Sequence, residues 1–138
     1  MNREIKFRGK SKKDRKWLYG YLGESKFSIL DYVYIDKVIF DNVLAFNTDN
    51  STYVVTDLSV EEETIGQFTG LYDKNGTDIY EGDILRNESC KGIVVYKNGA
   101  FVLDLGKSCG CVYLFCLDSL LVVGNIYDNP ELLKQNEL

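Results

Sequence analysis

Four acids, Asp73, Asp78, Glu81 and Asp83, crowd one glycine-punctuated stretch, and four thiols, Cys90, Cys109, Cys111 and Cys116, follow it. These are the side chains whose types and spacing could do chemistry. For the acids that chemistry would be calcium binding or acid–base catalysis. A calcium loop counted from Asp73 puts Asp78 where the invariant glycine must turn the chain, and Ile84 where a bidentate glutamate must close the site. Calcium therefore finds no ligand set. A catalytic carboxylate pair needs a pocket that raises one of its two pKa values, and nothing in the sequence indicates one, so the acids are expected to form turns and face water. With no histidine in the chain, serine–histidine and cysteine–histidine nucleophiles and histidine-rich metal sites are excluded. Cysteine-only zinc ligation is weakened by spacing: Cys109-Gly110-Cys111 is not a C-x₂-C knuckle, and Cys111 and Cys116 lie in an apolar run where cysteine acts as a small hydrophobe. The glycines follow neither the GxxxxGK[ST] nor the GxGxxG order of phosphate loops. The expectation is a protein that is not an enzyme, with no metal, cofactor or small-molecule ligand indicated.

A second constellation lies at the start of the chain. Net charge is −5 overall, yet residues 1–16 hold eight bases against two acids, and the rest hold eight bases against nineteen acids. Arg3, Lys6, Arg8, Lys12, Lys13 and Arg15 stand close to Trp17 and Tyr19. Bases interleaved with aromatics suit a surface that tracks a phosphate backbone and stacks on bases. They suit equally a basic head that meets the acidic body of another copy. The two candidate partners are therefore nucleic acid and a second copy of the chain.

The elements that position these groups read as β-structure. Ile5 and Phe7 alternate with Lys6 and Arg8 as in a half-buried strand, and residues 9–16 read as a polar loop. Trp17, Tyr19 and Tyr21 share one face of the next extended segment. Runs at 27–35, 38–46 and 52–58 are rich in β-branched and aromatic residues and are expected as strands, with a helix an alternative for part of 31–46. Glu61, Glu62 and Glu63 read as a solvated link. In 64–85, TIGQFTGLYDKNGTDIYEGDIL, Asn75-Gly76 predicts a type I′ hairpin, and Glu81-Gly82-Asp83 a bend or bulge. Asn98-Gly99 predicts a second hairpin between 92–96 and 100–105, and 111–117 and 120–123 are further strand-length runs. Asn129 as N-cap, Pro130 and Glu131 predict one short terminal helix.

Eight of the twelve glycines lie between Gly66 and Gly110, as the corners of a small, strongly curved barrel require. The predicted architecture is mainly β. An N-terminal β-rich region with a basic head spans 1–60, and an SH3-like small barrel with a short helix spans 61–138, the two sharing one compact unit. No apolar run reaches the ~18 residues of a membrane span, and MNREIKFRGK lacks the apolar core of a signal peptide. A cytoplasmic protein with reduced cysteines is expected.

The motifs IKFRGK, WLYG, ETIGQFTGLYDKNGTDIYEGDIL and VVGNIYDNPELL, in that order, resemble the YopX family of phage and prophage proteins. The matching positions include Gly66, Phe68, Thr69, Gly70, Asp73, Gly76, Ile79, Tyr80, Glu81, Gly82 and Asp83, then Gly124, Asn125, Asn129 and Pro130, with Asn75 in the same turn. The resemblance implies a small prophage-encoded accessory protein of the bacterial host cytoplasm that forms homo-oligomers. It offers no catalytic residues, and nothing is carried over onto KSCGCVYLFC.

Overall fold

The computed structural model describes residues 4–40, 58–107, 109–114 and 119–134. The chain is mainly β, and it divides into two units, Met1–Gln67 and Phe68–Leu138.

In the first unit, strands β1 (Phe7–Lys10), β2 (Trp17–Ile29) and β3 (Tyr32–Phe40) follow one another antiparallel. The basic head is thus half strand: β1 runs to Lys10, and Ser11 forms a bridge to Val60, so the expected loop at 9–16 shrinks to a tight turn. The 27–35 run is broken, because Ile29 pairs with Tyr32 across a two-residue turn. Leu30 and Asp31 take positive φ there, 48° and 68°. No Asn-Gly marks this turn; the long β2–β3 ladder imposes it. The part of β3 from Tyr32 is strand rather than helix. What was expected of 41–46 and 52–57 lies outside the described residues. The segment ending in a 3₁₀ turn (Glu62–Thr64) lies along β1 and β3, through bonds from Lys12 N–H to Ser59 O (2.9 Å), Ile39 N–H to Leu58 O (3.0 Å) and Glu61 N–H to Lys10 O (2.8 Å). Val38, Ile39 and Val60 are sealed here. Gly9 allows the close approach: a Cβ there would stand 3.1 Å from both Ile39 Cδ1 and Val60 Cβ.

Strand β4 (Gly66–Tyr72) begins in the first unit, where Gly66 and Gln67 pair with β1. Its later residues belong to the second unit and pair with β5 (Asp78–Tyr80), with an irregularity between Phe68 and Tyr72 where Gly70 takes φ 83°. The connection is not the expected type I′ turn. Only Gly76 has positive φ, and Gly76 N–H donates to Asp73 O (2.9 Å) while Asp73 N–H donates to Thr77 O (2.9 Å). This is a five-residue loop, a type I turn closed by a glycine bulge. Asp73 decides it by accepting from Asn75 N–H (2.8 Å) and Thr77 N–H (2.9 Å), an arrangement a two-residue turn has no room for.

Strands β6 (Asp83–Arg86), β7 (Lys91–Lys97), β8 (Ala100–Asp104) and β9 (Cys111–Tyr113) form a meander, and β10 (Leu121–Asn125) returns to pair with β6. The order is β10-β6-β7-β8-β9. The small barrel expected for this half does not close, since β9 and β10 stand at opposite ends of the order, with no pairing between them among the described residues. The predicted second Asn-Gly hairpin forms between β7 and β8, and Asn98 and Gly99 both take positive φ there, 54° and 81°, as a type I′ turn requires. Ile79, Leu85, Val94, Leu103, Leu114 and Leu120 make the core of this unit, and Phe68 packs at 5.6 Å from the Tyr80 ring. Helix α1 (Glu131–Lys134) is the short terminal helix the sequence predicts.

Candidate functional site

The basic, aromatic segment folds as the β1–β2 hairpin, and its register decides which side chains meet. Lys10 stands opposite Trp17 and Arg8 opposite Tyr19, so all four share one face, with Tyr21 further along it. The Arg8 guanidinium lies 4.6 Å, and Lys10 Nζ 5.5 Å, from the centre of the Trp17 ring. Cations over an indole face are held by its quadrupole. Arg8 is only 5% exposed, which removes it from the set of surface bases, and Trp17 is half-buried. Tyr19 and Tyr21 are about half exposed. The face is therefore aromatic outside and cationic beneath.

Three other bases of the head are matched to acids of the same unit. Lys12 Nζ lies 3.0 Å from Asp36 Oδ1, Arg15 Nη1 3.6 Å from Glu61 Oε1, and Lys6 Nζ 3.5 Å from Glu4 Oε1. The hydrogen bond from Lys12 holds the Asp36 carboxyl below its ordinary range, against a smaller opposing effect of burial and with help from the Ser59 hydroxyl at 3.0 Å. The same bond raises Lys12. Lys13 is exposed, and its N–H donates to Ser11 Oγ (3.1 Å). Arg3 lies outside the described residues. Lys10, Asp36, Glu61 and Tyr21 were not among the candidate residues. The first and last follow from hairpin register once 11–16 is read as a turn, whereas the acids reach the head only through tertiary structure.

The acid–glycine stretch turns out to be scaffold. Two of its acids do not face water: Asp73 is 9% exposed and Asp83 1%. Asp83 Oδ2 accepts from Tyr80 N–H (2.8 Å), closing the turn at Glu81 and Gly82, where Gly82 has φ 90°. Gly82 N–H donates to Val94 O and its carbonyl accepts from Ile126 N–H, both 2.9 Å. Asp73 Oδ2 accepts from Val122 N–H (3.1 Å), so one carboxylate joins the β4–β5 loop to β10. Burial alone would raise the Asp73 carboxyl; the donors Thr77, Val122 and Asn75 outweigh it, and the net shift is downward. These carboxylates organise backbone.

The terminal motif is a second such lock. Asn125 Oδ1 accepts from Tyr127 N–H (3.0 Å) and Asp128 N–H (2.9 Å), and its amide donates to Asp128 Oδ2 (3.1 Å). The Asn129 side chain does not cap the helix: its Oδ1 accepts from Asn125 N–H (3.2 Å), and the chain enters α1 after Pro130 through Leu132 N–H to Asn129 O (3.1 Å). Gly124 is required by this fold-back, because a Cβ there would stand 2.6 Å from Asn129 Oδ1. Among the cysteines, Cys111 is exposed, contrary to its expected place in an apolar run, because the core-facing residue of β9 is its neighbour Val112. Cys109 is exposed as well and Cys90 half-buried, while Cys116 lies outside the described residues.

Among the described residues no helix is long and apolar enough to cross a membrane. No curated protein is significantly similar to the chain. Among solved structures it is similar to the crystal structure of protein EF1440 from Enterococcus faecalis, with 25% identity and a TM-score of 0.50, over 94% of this chain and 98% of that one. Over residues 6–134 the sequence fits the family described as YopX protein, so that the hairpin head, the acid–glycine stretch and the terminal asparagine lock all lie within the match, and the chain belongs to the YopX family.

Proposed function

We propose that this is a non-enzymatic accessory protein of the phage type, working in the bacterial host cytoplasm, that self-associates through the aromatic face of the β1–β2 hairpin. The observation that carries the reading is the exposure of Tyr19 (51%) and Tyr21 (48%) on the face that also holds the cation-covered Trp17. Half-exposed tyrosines on a rigid sheet lose little side-chain entropy when covered, and aromatics of this kind are enriched at interfaces. In the second half, the order β10-β6-β7-β8-β9, a meander whose last strand returns to its first, supports an SH3-like reading in its partly open form.

Light scattering after size exclusion tests the association. An oligomer at tens of micromolar is expected, and Tyr19→Ser with Tyr21→Ser should dissociate it; a wild-type monomer in low salt would sink the proposal. Nucleic-acid binding is the second reading, favoured by exposed Tyr19 and by Lys13 and Lys16 at the hairpin tip. It requires Lys12 and Arg15 to exchange Asp36 and Glu61 for phosphates. Retardation of an oligonucleotide that falls steeply with added salt would support it over self-association.

A further inference from the structure

The second unit carries a cleft of about 410 Å³ lined by Lys74, Arg86, Asn87, Glu88, Ser89, Ser119 and Leu121. Three chain segments build it: the loop after β4, the turn between β6 and β7, and the approach to β10. Hydrogen bonds tie the first segment to the third, and the turn closes on itself next to the Arg86–Leu121 strand pair. Lys74 N–H donates to Leu120 O (3.3 Å), Val122 N–H to the Asp73 carboxylate (3.1 Å), and Asn87 N–H to Cys90 O (2.9 Å). The walls are therefore set before any ligand arrives.

The lining is rich in donors and poor in acceptors. Lys74 and Arg86 bring an ammonium and a guanidinium, and no ion pair to either is formed among the described residues. Asn87 Oδ1 is committed to Ser89 N–H and Cys90 N–H, both at 2.8 Å, which leaves its –NH₂ as the group that can face outward. Ser89 adds a hydroxyl, and Glu88 is the single acid among the described lining residues. This concentration of cations is unusual in its setting, since residues 68–138 hold six bases against ten acids. A guanidinium fork beside a point-charge ammonium matches an oxyanion with several acceptor oxygens, and the volume exceeds that of a bare ion and suits a small organic molecule.

We propose that this cleft binds the phosphoryl group of a small phosphate monoester, with Arg86 and Lys74 on its oxygens. Glu88 tunes the site by repelling the dianion. The proposal is independent of the aromatic face of the first unit. The test is a titration of the isotope-labelled full chain with inorganic phosphate and with glycerol phosphate at constant ionic strength, read by amide NMR shifts. Saturable shifts confined to Lys74, Arg86, Asn87, Glu88 and Ser89, stronger for the monoester than for inorganic phosphate, are expected. Lys74→Gln with Arg86→Gln should weaken binding by about tenfold or more, and Glu88→Gln should tighten it. All three side chains are exposed, so folding is preserved. Shifts that do not saturate, that lie elsewhere, or that survive the double substitution would overturn the proposal. So would a response to a single-stranded oligonucleotide without one to the monoester, which would assign the cations to a nucleic-acid backbone.

Discussion

Asp73 shows how one side chain can define a region. Its carboxylate takes three backbone N–H groups, from Asn75, Thr77 and Val122, and sits below its ordinary value of 3.8 despite burial. A carboxyl whose pKa is lower folded than unfolded stabilises the fold fully above the unfolded value, and that contribution is lost as pH falls through the folded one. Asp73→Asn should therefore cost about 1–3 kcal/mol near pH 7. The difference from wild type should shrink in acid, as urea midpoints at neutral pH and near pH 2.5 would show. A gap unchanged by pH would mean the charge is not what matters. Gly124 offers a steric counterpart. Gly124→Ala drives a methyl into Asn129 Oδ1 at 2.6 Å and should cost about 1–3 kcal/mol. Because the obstacle is a side chain, Gly124→Ala with Asn129→Ala should be less destabilised than the sum of the two single variants. Additive costs would contradict the contact.

Among the elements, the β2–β3 hairpin is the one whose turn chemistry disagrees with its conformation. Leu30 and Asp31 occupy left-handed backbone at φ 48° and 68°, and Leu30 is 86% exposed. A leucine there gains no burial to offset a strain of about 1–2 kcal/mol. Leu30→Asn with Asp31→Gly supplies the residues such a turn favours and should stabilise the protein by about 1–2 kcal/mol in urea melts. An unchanged or lowered midpoint would show that the ladder does not hold the turn in this geometry. The β1–β2 hairpin differs: Arg15 alone takes positive φ at its tip, 63°, and Ser11 N–H to Lys16 O (2.8 Å) closes it. Its aromatic face therefore depends on strand register, which fixes Arg8, Lys10, Trp17 and Tyr19 together.

At the scale of the whole molecule, charge is arranged differently from its order along the chain. Residues 1–67 hold ten bases and eleven acids, so the basic head is nearly neutralised within its own unit by acids such as Asp36 and Glu61. Attraction between a basic head and an acidic body is thus a weak basis for association. Self-association through Tyr19 and Tyr21 should be nearly indifferent to salt between 50 and 500 mM, whereas charge-driven contact would weaken steeply. Size exclusion across that range distinguishes the two.

The sequence by itself determined the mainly β class, the Asn98-Gly99 hairpin, the bend at Gly82, the terminal helix and the family, because each rests on local backbone preference or on a linear motif. The Leu30-Asp31 turn was illegible, since no turn residue marks it and ladder pairing on either side overrides propensity. The Asn75-Gly76 turn was misread in type because the Asp73 side chain, two residues upstream, supplies the deciding acceptors. Only tertiary structure placed Arg8 against an indole face, Asp83 in the interior, Asp36 and Glu61 against the head, and Lys74 and Arg86 on one cleft. The acids that reach the head lie 24 and 46 residues from their bases, and in every case the balance of burial against hydrogen bonding that fixes the side chain is a property of the packed molecule.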